Sequence, residues 1–236
     1  MGYQSVSIIT NGSQSKSFPK WFSKYGQYLD ILGISIDSIN PITNFIHGRH
    51  NSGASKETLI LSIDKYLNNI KNARDICNEY NVIFKINTVV TNTNADENMF
   101  DFINDIKPSY WKIFQVLPLQ GENIGTLKHP KKNVEPFIIS DEKFKKFVER
   151  NTSNLFDPSI VKVESNDVMK DSYVLIDEYG RFLDCSGGGK VPSESILDVG
   201  LEQAARTLLG NDGRGFRRDM FLARGGYFPE SWSKQK

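Results

Sequence analysis

Two lysines interrupt strands that are otherwise built for burial. Lys85 lies within Ile83-Phe84-Lys85-Ile86-Asn87, and Lys112 within Trp111-Lys112-Ile113-Phe114-Gln115. Alternate side chains of a strand point the same way, so Lys85 shares a face with Asn87. An unpaired ammonium in such a place is costly, so each lysine needs a carboxylate, solvent at a strand edge, or an anionic ligand. Two lysine-bearing strands in series favour the ligand. Ser186-Gly187-Gly188-Gly189-Lys190 can wrap backbone amides and an ammonium around phosphate. It follows a hairpin and has no Ser or Thr after the lysine, so it is not a P-loop, and alone such a segment is more often a flexible turn. Arg224-Gly225-Gly226 has the same ambiguity. If Lys85, Lys112, Lys190 and Arg224 converge, they match the charge of a triphosphate, each charge-assisted bond contributing about 1.5 to 3 kcal/mol. Tyr173, after Lys170-Asp171-Ser172, can deliver a hydrogen atom or proton, although its residue type reads first as an ordinary strand aromatic.

The elements that would position these groups alternate between two hydrophobic rhythms. Val6 to Thr10 is a short β-branched run ending in the turn signal Asn11-Gly12-Ser13. A short helix is expected around Trp21 to Leu29 and a buried strand over Ile31 to Ile36, followed by a polar loop. Leu59, Ile63, Leu67, Ile70, Ala73 and Cys77 then recur at helical spacing, with Ser55 as N-cap, which places Cys77 in the core. A third strand is expected over Val82 to Val90, a helix with Met99, Ile103 and Ile106 that stops before Pro108, and a fourth strand over Trp111 to Leu117. Past residue 118 come a loop with Gly121-Glu122-Asn123 and the basic stretch Lys128 to Lys132. A helix after Ser140 with Phe144, Phe147 and Val148 on one face follows, then two strands within Ser172 to Leu183 around a turn at Glu178 to Gly180. Strict strand–helix alternation implies a parallel sheet, in which ligands gather at the C-terminal ends of the strands.

Composition excludes several classes. Lys and Arg number 29 against 28 Asp and Glu, so bulk charge gives no case for nucleic acid or an acidic membrane. No apolar run approaches the roughly 20 residues of a spanning helix, and no signal peptide opens the chain, which makes a cytoplasmic location the expectation. Cys77 and Cys185 are too few for a disulfide framework or a four-cysteine metal site.

Seven segments occur in an order and spacing similar to those of the viperin family of radical S-adenosylmethionine enzymes. They are Ser5-Val6-Ser7-Ile8-Ile9-Thr10-Asn11-Gly12-Ser13, Tyr28-Leu29-Asp30-Ile31-Leu32-Gly33-Ile34-Ser35, Phe84-Lys85-Ile86-Asn87, Trp111-Lys112-Ile113-Phe114-Gln115, Gly121-Glu122-Asn123, Met169-Lys170-Asp171-Ser172-Tyr173 and Ser195-Ile196-Leu197-Asp198-Val199-Gly200. The resemblance covers nearly the whole chain. It implies an α/β fold, the C-terminal part of a partial (β/α)6 TIM-type barrel of the radical S-adenosylmethionine kind with a C-terminal extension. Residues 1–120 would be barrel units from the third strand onward, and 121–236 the last barrel elements plus a nucleotide-binding extension, in one structural domain.

The activity implied is antiviral. A four-iron four-sulfur cluster, fed by an electron donor, cleaves S-adenosylmethionine, and the resulting radical takes the 4′ hydrogen of a nucleoside triphosphate, CTP favoured. Loss of water then gives the 3′-deoxy-3′,4′-didehydro nucleotide. Carried over by motif, Asn11, Ser35 and Arg49, the last from His47-Gly48-Arg49, would contact S-adenosylmethionine. Lys85 and Asn87 would meet the nucleotide, Lys112, Lys190 and Arg224 the triphosphate, and Tyr173 would quench the substrate radical. Tyr110 stands where the family has an arginine, and Ser186 to Gly189 replace a more basic segment.

The family's three-cysteine motif falls upstream of Met1 in this resemblance, as does its first barrel portion, and the membrane helix of vertebrate relatives has no counterpart. The chain as given is therefore expected to be inactive alone, and a non-catalytic nucleoside-triphosphate-binding protein is the alternative. An unpaired strand edge at the barrel opening is an aggregation hazard, so the 236-residue chain is expected to express poorly. A soluble monomer that melts cooperatively would favour the binding protein instead.

Overall fold

The computed structural model describes residues 5–49, 56–118, 133–169, 173–184 and 190–204, the side chains of 56–62 excepted. Ser55, Gly121 to Asn123, the basic stretch 128–132, Cys185 to Gly189 and Arg224 lie outside the described residues. Among the described residues, those up to Gln115 and Ile139–Val163 form one compact unit, and those of Val116–Ile138 and from Glu164 onward form another.

The first unit runs β1 (Ser7–Thr10), α1 (Phe18–Tyr25), β2 (Ile31–Ser35), α2 (Pro41–Ile46), α3 (Lys56–Glu79), β3 (Ile83–Val90), α4 (Phe100–Ile106), β4 (Tyr110–Gln115), α5 (Asp141–Thr152) and β5 (Val161–Glu164), whose last residue belongs to the second unit. The sheet order is β1-β2-β3-β4-β5, and β1 to β4 pair in parallel. Each return to the same end of the sheet needs a crossover, and helices supply it in every connection.

One face of the sheet is dry. Leu32, Ile34, Phe84, Ile86, Trp111 and Ile113 are buried there, and the helices contribute Phe22, Ile70, Ala73, Cys77, Ile103 and Ile106 to the core. Cys77 is a core residue, as its helical spacing indicates. A polar relay on this face is complete: the Trp111 indole Nε1–H donates to Thr88 Oγ1 at 3.0 Å, and the Thr88 hydroxyl donates to the Ile36 carbonyl at 2.7 Å. Both side chains are fully buried, so each unmade bond would leave a desolvated group behind.

Helices hand over to strands through tight links. Asn81 after α3 and Lys107 after α4 both take left-handed backbone, with φ of 54° and 52°. The Lys107 N–H bonds back to Ile103 O at 2.8 Å, closing α4, and Pro108 follows where the helix cannot continue. Arg74 of α3 donates to the free carbonyl of Ile106 at 3.2 Å, tying the two helices together.

Several elements depart from the sequence expectation. The first helix starts earlier, at Phe18 with Pro19 in its first turn, and gives way after Tyr25 to a 3₁₀ turn over Gly26–Tyr28. The segment after β2, expected as a polar loop, contains α2: Asn40 Oδ1 accepts the Ile42 N–H at 2.8 Å and Pro41 fills the first helical position. The fourth strand ends at Gln115 rather than Leu117. Neither β5 nor the strand over Val191–Ser195 is expected from the sequence. The helix expected after Ser140 is α5, and Ser140 caps it, accepting the Lys143 N–H at 3.3 Å.

The second unit holds α6 (Asn166–Met169) and an antiparallel sheet of β6 (Leu175–Ile176), β7 (Arg181–Asp184) and β8 (Val191–Ser195), followed by α7 (Ile196–Val199). The expected hairpin turn is present. Asp177 Oδ1 accepts the N–H groups of Tyr179 and Arg181 at 3.0 and 2.9 Å, and Gly180 takes the positive φ the turn requires. Phe182 and Ala204 form a small core with Ile196 and Val199.

Thr88→Val is isosteric but removes both bonds of the buried relay, and we expect it to lower stability by about 1 to 3 kcal/mol. Urea unfolding followed by tryptophan fluorescence checks this, with Thr88→Ser, which keeps the hydroxyl, retaining most of the wild-type stability. An unchanged midpoint in Thr88→Val would show that the relay carries no stability.

Candidate functional site

The sheet face opposite the helices is built differently. Strand register aligns Ile9, Gly33, Lys85 and Tyr110 in one row, Ser35, Asn87 and Lys112 in the next, and Val89 beside Phe114 in a third. These are every second residue of each strand, so they share one face. Gly33 gives the face its depth. A β-carbon there would come within 2.5 Å of Ile9 Cδ1, 3.1 Å of Lys85 Cε and 3.5 Å of Asn87 Nδ2. The Lys112 ammonium lies 5.2 Å from the centre of the Phe114 ring, a cation–π contact on the same side. Asn87 is 8% exposed and its Oδ1 has no hydrogen-bond partner. A buried orphan acceptor costs about 1 to 3 kcal/mol, which a donor on a ligand would relieve.

A polar hub stands at the C-terminal ends of β2 and β3. Asp37 is 7% exposed, yet every oxygen is used. Its Oδ2 accepts from Arg49 Nε at 3.1 Å and Nη2 at 2.5 Å, its Oδ1 from the Val89 N–H at 2.9 Å, and its carbonyl from Asn94 Nδ2 at 2.6 Å. Asn94 also donates to Val89 O and accepts the Thr91 N–H, closing the loop after β3 on itself. His47 Nε2 sits 3.1 Å from Thr91 Oγ1 and 2.5 Å from Thr93 Oγ1. Ser38 donates to the Glu97 carboxylate at 2.6 Å.

Burial dominates the electrostatics of this hub. It holds the His47 imidazole below its ordinary value, with Asp37 opposing and Arg49 reinforcing. It pushes the Glu97 carboxyl up against the hydrogen bonds from Ser38, Thr43 and Ile39 that favour the ion. It pushes the Tyr66 phenol up to about 12, Arg49 lowering and Asp37 raising it, which keeps Tyr66 neutral beside the ion pair.

Of the residues singled out in the sequence, Ser35, Lys85, Asn87 and Lys112 lie together on the polar face. Arg49 follows α2 and is paired with Asp37. Asn11 is exposed just past β1, its Oδ1 accepting the Ser13 N–H at 3.0 Å in a local turn. Tyr173 and Lys190 belong to the second unit. Tyr173 precedes β6 and donates its hydroxyl to Glu164 Oε2 at 2.6 Å, while Lys190, half-buried, immediately precedes β8. Arg224 lies outside the described residues. Sequence reasoning missed Asp37, Glu97, Tyr66 and Asn94, whose only signal was the polarity of the strand C-terminal ends.

The described residues do not fit an iron–sulfur cluster. No group of three or more His, Cys, Asp or Glu among them can hold a metal, and Cys77 is sealed in the helix-packed core. They do fit an anionic ligand, through the ammonium groups of the polar face and the guanidinium of Arg49.

No protein-family model matches the chain. Curated relatives do. The chain is 44% identical over 230 residues to the "S-adenosylmethionine-dependent nucleotide dehydratase RSAD2" of Oncorhynchus mykiss, covering 98% of this chain and 59% of that protein. It is 44% identical over 230 residues to the protein of the same name in Danio rerio, covering 98% and 57%. The "S-adenosylmethionine-dependent nucleotide dehydratase" of Flammeovirga pacifica is 35% identical over 222 residues, covering 94% and 67%. Among solved structures, "Native anSMEcpe with bound AdoMet and Kp18Cys peptide" matches with a TM-score of 0.49 and 14% identity over 91% of this chain and 60% of that one. The chain thus spans under three fifths of the length of the two fish relatives. On that identity, over two thirds of the bacterial relative and nearly all of this sequence, the chain belongs to the viperin family of S-adenosylmethionine-dependent nucleotide dehydratases.

Proposed function

We propose that this chain carries the nucleotide-binding and S-adenosylmethionine-binding face of an antiviral nucleotide dehydratase, a radical lyase that converts a nucleoside triphosphate, CTP favoured, into its 3′-deoxy-3′,4′-didehydro analogue. One observation supports the reading above the others: Asn87 and Lys112 stand in lateral register, with Lys85 in the adjoining row of the same polar face of a parallel sheet. Two ammonium groups in adjacent strands suit a polyphosphate. The orphan Asn87 Oδ1 suits a ribose hydroxyl as donor. The phosphate roles of Lys190 and Arg224 rest on the resemblance alone.

Ser35, Arg49 and Asn11 are the residues that would hold S-adenosylmethionine. When bound, that cofactor supplies the hydrogen-abstracting group for the ribose. The chain's own residues hold the substrate still and exclude water from the sheet face. Tyr173 is the residue that would quench the substrate radical, supplying one electron to it and the proton that leaves with the 3′ hydroxyl as water, and the Glu164 carboxylate fixes the direction of its phenol O–H. No step is assigned to an iron–sulfur cluster or to its electron donor, since the described residues provide no ligands for the cluster. No helix among the described residues is long and apolar enough to cross a membrane.

Thermal-shift measurements with CTP, UTP, GTP and ATP test the reading. Ligand at 100 times its Kd stabilises by about 2.7 kcal/mol, an easily read shift, and the largest is expected with CTP. Lys85→Met and Lys112→Met each remove a charge-assisted contact, so each should weaken triphosphate binding by about 10- to 100-fold. No shift with any nucleotide would overturn the assignment.

Gly33→Ala tests the depth of the face. The atoms in its way are the mobile ends of Ile9 and Lys85, so the fold should survive while Lys85 is displaced. We expect about tenfold weaker triphosphate binding by calorimetry, and undiminished affinity would remove Lys85 from the site.

A further inference from the structure

We propose that Asp37 is a positioning residue, holding the Arg49 guanidinium as an open fork for the carboxylate of the adenosyl ligand's amino-acid portion. The inference rests on the S-adenosylmethionine reading above and goes beyond it, to a residue that would touch no ligand.

Arginine carries five N–H donors in a rigid plane. Asp37 Oδ2 takes the Nε–H and one Nη2–H of Arg49, which is one full edge of the guanidinium. The remaining N–H bonds, both on Nη1 and the second on Nη2, have no acceptor among the described residues, and the Arg49 side chain is 37% exposed. One edge is therefore locked and the other offered. A carboxylate with its two parallel oxygens fits such an edge bidentately.

Asp37 can act this way because it cannot move. Its second oxygen is fixed by the Val89 N–H, at the end of a strand paired on both sides, and its carbonyl by Asn94. The far end of Arg49 is held as well. Its backbone N–H donates to Asn44 O at 2.8 Å, and neighbouring His47 reaches Thr91 and Thr93. A half-exposed ion pair contributes little stability through charge alone. What the arrangement supplies is preorganisation: a long flexible side chain is set in one direction before any ligand arrives.

Calorimetry on the full chain decides the matter with two probes, S-adenosylhomocysteine, which carries the amino-acid carboxylate, and 5′-methylthioadenosine, which lacks it. Wild-type protein should prefer S-adenosylhomocysteine. Asp37→Asn keeps an acceptor for Val89 but no charge for Arg49, and should weaken S-adenosylhomocysteine about tenfold while leaving 5′-methylthioadenosine unchanged. Asp37→Glu keeps the charge but shifts it by one methylene, so it should show the same selective loss, and it serves if Asp37→Asn does not fold. The double variant Asp37→Asn/Arg49→Gln should bind S-adenosylhomocysteine no more weakly than Arg49→Gln alone, since the two residues act as one device. Equal loss of both probes in the Asp37 variants would make Asp37 merely structural, and unchanged binding of both would remove it from the site; either overturns the inference and leaves the functional reading standing. Failure of wild-type protein to bind either probe would overturn the S-adenosylmethionine reading itself, and this inference with it.

Discussion

The buried carboxylate of Asp37 is the constraint around which the first unit's ligand end is arranged. A carboxylate taken out of water without partners is too costly to keep, so the chain around it must supply donors. They come from separate places: the Arg49 side chain beyond α2 and the Val89 backbone in β3. Satisfying one ion therefore fixes the distance between two strand ends and the course of the connection over both. Asn94 on the Asp37 carbonyl and Glu97 on Ser38 complete the same task for the neighbouring backbone.

The sheet beneath has two chemistries on its two faces, separated by a period of two. Leu32, Ile34, Phe84, Ile86, Trp111 and Ile113 face helices, and Gly33, Ser35, Lys85, Asn87, Tyr110 and Lys112 do not. A register slip of one residue would turn two ammonium groups toward the helix-packed core and Trp111 onto the polar face, so the dry face strongly specifies the polar one. The Trp111 to Thr88 to Ile36 relay adds a directional bond to that hydrophobic specification.

Much of this was legible in the amino-acid order. The helical recurrence from Leu59 to Cys77 and the β-branched runs around Ile34 and Ile86 located α3, β2 and β3, because burial on one or both faces leaves a periodic trace. Lys85 and Lys112 stood out because they violate that trace. α2 was hidden because Asn40-Pro41 reads as a turn, and only the capping geometry of Asn40 shows that it starts a helix. β5 and β8 are short, with polar residues among few apolar ones, and carry no pattern of their own. The hub was illegible for a different reason: Ser38 and Glu97 are 59 residues apart, and Asp37 and Val89 are 52 apart, so nothing local connects them. Tyr173 had the same difficulty on a smaller scale, since its partner Glu164 precedes it by nine residues.

The left-handed residues Asn81 and Lys107 give the molecule an asymmetry in its tolerance to change. Each turns a helix into the next strand within the short spans 80–82 and 107–109, leaving no slack at that rim. At the opposite rim the spans 36–49 and 91–99 are longer and are held by side-chain hydrogen bonds rather than by left-handed backbone. Diversification among descendants of this chain, in loop length and in the ligands recognised, is thereby channelled to the rim that carries Arg49, while the other stays fixed by backbone geometry.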